Sequence, residues 1–171
     1  MNNAVYIVPG RGNKLIDLGD MISRLGFDVY GREVLPPFSS MCFSDQLGII
    51  QKDLVSLFWD TRAHLVGHSY GGYLLLHSLS EMEPFPGKIL LFSPVLGAAI
   101  DRKRLYVSRP PRADRLFQLA EHNKFPIPRY LEIHTGENDD GCDPDLAKTF
   151  GSSIPGSKIS IVRNHGHALA P

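Results

Sequence analysis

Two rhythms of apolar and polar residues alternate along the chain. Short continuous apolar runs occupy Ala4–Val8, residues 27–35, 63–66, Lys88–Phe92, residues 130–134 and Lys158–Val162. Each is bounded by Gly, Pro, Ser or Asn, which predicts six buried strands. Between them the apolar residues fall three or four apart. Leu15, Leu18, Ile22 and Leu25 mark a first helix, with Asn13 as its expected cap and Gly26 as its stop. Ser44 is the expected cap of a second, whose stripe is Leu47, Ile50, Leu54 and Leu57. A third follows Ser69 and closes near Pro84, and a short one covers 143–150.

Strands alternating with amphipathic helices predict an α/β fold: a mainly parallel sheet with helices on both faces. Residues 97–128 break the alternation. They are polar and proline-containing, with one helical patch at 116–120, and read as a small insertion over the active-site edge. At 171 residues the chain fits a single domain, spanning 1–171.

Composition narrows the function by exclusion. Lys plus Arg and Asp plus Glu both number 18, so overall charge gives no reason to expect a nucleic-acid or membrane partner. The two cysteines, Cys42 and Cys142, form no disulfide framework and have no zinc-type spacing. Free thiols, the lack of a charged-then-apolar leader and the lack of a bilayer-length apolar run make a cytoplasmic location the expectation. The one strong local imbalance lies at 101–115, where six cations, among them Arg102, Lys103 and Arg104, face two carboxylates. It suggests an anionic substrate, or else a solvated basic loop.

The chemistry is concentrated in Gly67-His68-Ser69-Tyr70-Gly71-Gly72, between a predicted strand and a predicted helix. In that context Gly-x-Ser-x-Gly is a nucleophile elbow: the serine stands on a sharp turn, with glycines where side chains would collide. Serine is a poor nucleophile until a base takes its proton. Candidate bases are His165 and His167, in the loop after the last strand. Candidate acids are Asp139 and Asp140, in the loop after the fifth. All sit at carboxyl ends of strands, where parallel sheets gather their functional groups. Asp143, before Pro144, reads as a helix N-cap. His165-x-His167 hints at a metal, but no third ligand sits at a convincing spacing, and no metal or other cofactor is expected.

Through Gly67 to Gly72, Gly136-x-x-Asp139 and Gly166-His167, and through its succession of strands, the chain resembles the α/β-hydrolase superfamily. The resemblance covers nearly the whole chain and suggests a short serine hydrolase without a large lid. It selects Ser69 as nucleophile, Asp139 as acid and His167 as base, and the amides of Arg11 and Tyr70 as oxyanion donors. It implies cleavage of an ester, thioester or amide in a small acyl substrate. An inactive module that keeps the fold for binding is the alternative. The chain departs from the full-sized pattern by starting on what would be the third strand. Only four residues follow His167, where a closing helix usually stands.

Overall fold

The computed structural model describes residues 3–101 and 106–167. Strands β1 (Ala4–Val8), β2 (Asp28–Gly31), β3 (His64–His68), β4 (Lys88–Phe92), β7 (Tyr130–Gly136) and β8 (Lys158–Val162) form one sheet. Its order is β2-β1-β3-β4-β7-β8, and every pairing is parallel. These are the six apolar runs, with one trimmed. Residues 27–35 pair only over Asp28–Gly31, because the chain turns away through Arg32 and Glu33 before Pro36-Pro37.

Helices α2 (Phe43–Asp53), α3 (Tyr70–Leu79), α4 (Arg115–Glu121) and α5 (Pro144–Ser152) enclose the main core with one face of the sheet. Tyr6, Leu65, Leu74, Leu91, Leu116, Ile133 and Phe150 all lie in it. Helix α3 is buried along its whole length and carries the central load of this layer. Helix α1 (Leu15–Ser23) lies on the other face, where Leu15, Leu18 and Ile22 cover Val5, Ile7 and Val66. Beyond α1 that face is uncovered among the described residues, and Leu90, Phe92, Tyr130, Glu132 and His134 are only half-buried there.

Four local expectations need correction. Helix α1 is capped at Lys14, not Asn13: the Lys14 amide donates to Asp17 Oδ2 at 3.1 Å. Leu25 falls beyond the end of α1 and is exposed. Helix α2 starts one residue before Ser44, with its first turn closed on the Cys42 carbonyl by the amides of Asp45 and Gln46. Its continuation, Leu54–Phe58, is a π turn, which shifts the inward phase so that Phe58 is buried and Leu57 exposed.

The insertion also holds an antiparallel hairpin that the polar pattern concealed, β5 (Ala99–Asp101) with β6 (Tyr106–Ser108). After it, Tyr73 Oη donates to the Pro111 carbonyl at 2.6 Å, pinning the segment against α3. Arg112 and Arg115 share Glu81, and Arg109 pairs with Asp114. Arg102, Lys103 and Arg104 lie outside the described residues.

Candidate active site

The turn from β3 into α3 places Ser69 at φ 52°, ψ −123°, in the left-handed half of backbone space. A serine held there is strained by roughly 1–3 kcal/mol, which the surrounding bonds must offset. The Ser69 amide donates to the Phe92 carbonyl at 3.0 Å, and the Ser69 carbonyl accepts from Val95 at 3.1 Å. The turn is also too tight for side chains beside it. A Cβ on Gly71 would lie 2.0 Å from the Val8 carbonyl oxygen, and one on Gly67 would lie 2.7 Å from Gly72 Cα. The close approach is to β1 as well as to α3, which is why the loop after β1 rides directly over the serine.

His167, on the loop after β8, reaches Ser69 from the other side. Ser69 Oγ lies 3.0 Å from His167 Nε2, and His167 Nδ1 lies 2.9 Å from Asp139 Oδ1. The three side chains thus form one hydrogen-bonded chain although 98 residues separate Ser69 from His167. The Asp139 side chain is fully buried and that of His167 one-third exposed.

Burial alone would raise the Asp139 pKa. The hydrogen bonds from His167 and from the Cys142 amide help to outweigh it and hold the carboxyl below its ordinary value. Geometry accounts for this balance: Oδ1 accepts from the Gly141 and Cys142 amides at 2.9 and 2.8 Å, and Oδ2 from Thr135 Oγ1 at 3.1 Å. The carboxylate in turn raises the pKa of His167, chiefly through their hydrogen bond and against the effect of burial. An ionised acid therefore faces Nδ1, which keeps Nε2 the free, basic nitrogen.

The alternative residues are placed differently. Asp140 is exposed and acts on His167 as a nearby charge. His165 Nδ1 donates to the Arg163 carbonyl at 2.7 Å, and its own carbonyl accepts from the Asn138 amide. It ties the two loops together and does not join His167. Asp143 accepts from the Asp145 amide at 2.8 Å, as an N-cap does.

Tyr70 follows Ser69 directly, and Arg11 follows Gly10 in the loop that passes over the serine. Among the described residues neither amide donates to another backbone group, and Tyr70 opens α3, where the helix dipole favours negative charge. The Arg11 guanidinium lies over the Tyr70 ring at 4.3 Å, so its side chain braces the turn. A Cβ on Gly10 would lie 3.3 Å from Ser69 Cβ, a measure of how closely the loop passes.

Sequence reasoning missed Thr135 and the amides of Gly141 and Cys142, all of which support Asp139. None belongs to a spaced motif; the turn that follows β7 folds Asp139 back onto all three. His68, inside the elbow, makes a contact of its own. It stacks loosely on His167, with ring centroids 5.4 Å apart, and burial lowers its pKa, as does the charge of His167. A cavity of about 350 Å³ opens beside it, lined among others by Pro9, Asn13, Leu18, Met21 and Phe92.

No protein-family model matches the chain, and no curated protein matches it by sequence. Solved structures do. A monoacylglycerol lipase of Paleococcus ferrophilus is 13% identical with a TM-score of 0.71, over 96% of this chain and 85% of that one. A carboxylesterase of Bacillus subtilis is 16% identical with a TM-score of 0.66, over 98% and 78%. A thioesterase domain from the curacin biosynthetic pathway is 16% identical with a TM-score of 0.67, over 98% and 86%. No helix among the described residues is long and apolar enough to cross a membrane. At these identities the likeness is one of fold, and the fold of this chain is that of the α/β-hydrolase superfamily.

Proposed function

We propose that the protein is a serine hydrolase that cleaves an ester, thioester or amide through an acyl-enzyme on Ser69. The observation that carries this reading is the unbroken bond chain from Ser69 Oγ through His167 to Asp139. That the fold neighbours include an esterase, a lipase and a thioesterase supports it.

In the first half-reaction Ser69 Oγ bonds to the substrate carbonyl carbon while its proton passes to His167 Nε2. The carbonyl π electrons move to oxygen, and in this reading the amides of Arg11 and Tyr70 donate to the developing charge. Asp139 fixes the tautomer of His167 and stabilises the imidazolium. When the tetrahedral species collapses, the leaving group departs with the proton from Nε2. Water then gives a proton to Nε2 and attacks the acyl carbon, and the second collapse returns the proton to Ser69 with release of the acid. No cofactor enters this scheme.

An anionic substrate rests on the charge of 101–115 alone, and three of its six cations are already matched by Glu81 and Asp114.

Labelling with a fluorophosphonate, followed by mass spectrometry of the modified peptide, tests the proposal. Modification at Ser69 with hydrolysis of a p-nitrophenyl ester is expected. Failure to label, with no turnover of esters or thioesters, would leave a binding module that has kept the fold.

A further inference from the structure

The chain Ser69–His167–Asp139 leaves one neighbouring group unused. The Cys142 thiol is buried, and it donates to the Ser93 carbonyl. It also joins a convergence of metal-binding atoms. One donor atom each from Asp139, Cys142 and His167 lies within 4.8 Å of the other two. Two of the three residues are buried, unlike the scattered carboxylates of a protein surface.

The spacing can be compared with what an ion requires. Zinc bonds of about 2.0–2.3 Å in a tetrahedral arrangement put ligand atoms about 3.3–3.7 Å apart. Asp139 Oδ1 and His167 Nδ1, at 2.9 Å, need only part by a few tenths of an ångström. The sulfur, within 4.8 Å of its partners, has to move in by at most about 1 Å, a small swing that releases the Ser93 carbonyl. The lone pair of Oδ1 that now holds the Nδ1 proton is the one an ion would take.

We propose that Asp139 Oδ1, Cys142 Sγ and His167 Nδ1 form an inhibitory site for a zinc-class divalent cation. Thiolate with imidazole selects zinc, cobalt or cadmium over magnesium and calcium. Three protein ligands leave the fourth position to water. On binding, the thiol proton leaves to solvent and the sulfur ligates as thiolate. His167 stays neutral, and its ring proton moves from Nδ1 to Nε2. Nothing is oxidised or reduced. A protonated Nε2 cannot accept the Ser69 proton, so attack stops. The inhibitory effect rests on the serine-hydrolase reading; the metal binding does not.

The test uses the full chain freed of metal and titrated with Co²⁺, whose thiolate complexes show a charge-transfer band in the near ultraviolet. The band should saturate at one Co²⁺ per chain, disappear on adding Zn²⁺ and ignore excess Mg²⁺. Cys142→Ser should abolish it, while Cys42→Ser, at the exposed second thiol, should leave it intact. Asp139→Asn keeps the thiol and should weaken Co²⁺ binding by about tenfold or more, which keeps the test valid if Cys142→Ser does not fold. The absence of a band, or a band that survives Cys142→Ser, overturns the site. In parallel, Zn²⁺ should slow fluorophosphonate labelling of Ser69. A band with unchanged labelling overturns the inhibition. A metal-free protein that never labels overturns the hydrolase reading instead, and the Co²⁺ band still decides the site.

Discussion

Gly141 has no side chain where the base needs room: a Cβ built on it would lie 2.9 Å from His167 Nδ1. The same residue's amide donates to Asp139 Oδ1. Gly141 is therefore where the acid is held and where the imidazole is admitted. Gly141→Ala should push the ring off its bond to Ser69 without unfolding the protein. A displacement near 1 Å at a reacting group lowers turnover about 10²-fold, and that is the expected fall in kcat, measured beside an unchanged far-ultraviolet spectrum. Full activity in Gly141→Ala would show that the ring tolerates the shift.

Ser69 is predicted to separate activity from stability. Ser69→Ala should abolish labelling and lower kcat by several orders of magnitude, about 10⁶ in the best-studied triad enzyme. Ser69→Gly removes the nucleophile too, but also the strain of a side chain at φ 52°. It should be the more stable of the two by about 1 kcal/mol in urea unfolding. Equal midpoints would mean that the elbow stores no such strain.

The three neighbouring aspartates should give three different phenotypes. Asp139→Asn is expected to lower kcat by roughly 10⁴, because the amide favours the wrong histidine tautomer. Asp140→Asn should retain most of the activity. Asp143→Ala loses the cap of α5 and should cost about 1 kcal/mol of stability with little change in rate. An inactive Asp140→Asn beside an active Asp139→Asn would reverse the assignment.

Stability should depend on pH through His77. This residue is fully buried, neither ring nitrogen has a partner, and Phe43 and Tyr73 press against the ring. Burial pushes its pKa down to about 3, helped by the positive charges of Arg112 and Arg115. The unfolded chain takes up the proton near the ordinary value of about 6.5. The neutral ring's contribution is thus complete above that value and is lost as pH falls toward the folded pKa, by at most about 1.4 kcal/mol per unit. His77→Leu should flatten this slope when urea unfolding at about pH 7 is compared with about pH 5. Parallel slopes in both proteins would place the acid sensitivity elsewhere.

How much of this was legible in the sequence follows from the range of each interaction. The six strands and the main helices were readable because an apolar run or a 3.6-residue stripe is a local signal. Asp139 and His167 were singled out from Asp140 and His165 only by the resemblance, through the offset from Gly136 and the glycine before His167. The cap at Lys14 was not readable, since it depends on Asp17 reaching back rather than on the residue type at the cap. Leu57 was placed inside because a helical stripe assumes regular phase, and a π turn breaks it. The β5–β6 hairpin has three-residue strands in a polar stretch, too short for alternation to register. Thr135 was invisible as a support because its hydroxyl reaches Asp139 only through the turn that follows β7.

The loops after β7 and β8 are bonded to each other before either meets Ser69. Val162 accepts from the Glu137 amide, His165 accepts from the Asn138 amide, and Glu137 Oε2 accepts from the Asn164 amide. Asp139 and His167 therefore travel as one cassette, carried by a single pair of adjacent strands. Ser69 is delivered separately, by β3 and α3. For an engineer this makes residues 130–167 a transplantable half-site. Grafted whole beside another strand-turn-helix serine, they would arrive with their mutual geometry already set, leaving only the docking distance to be tuned.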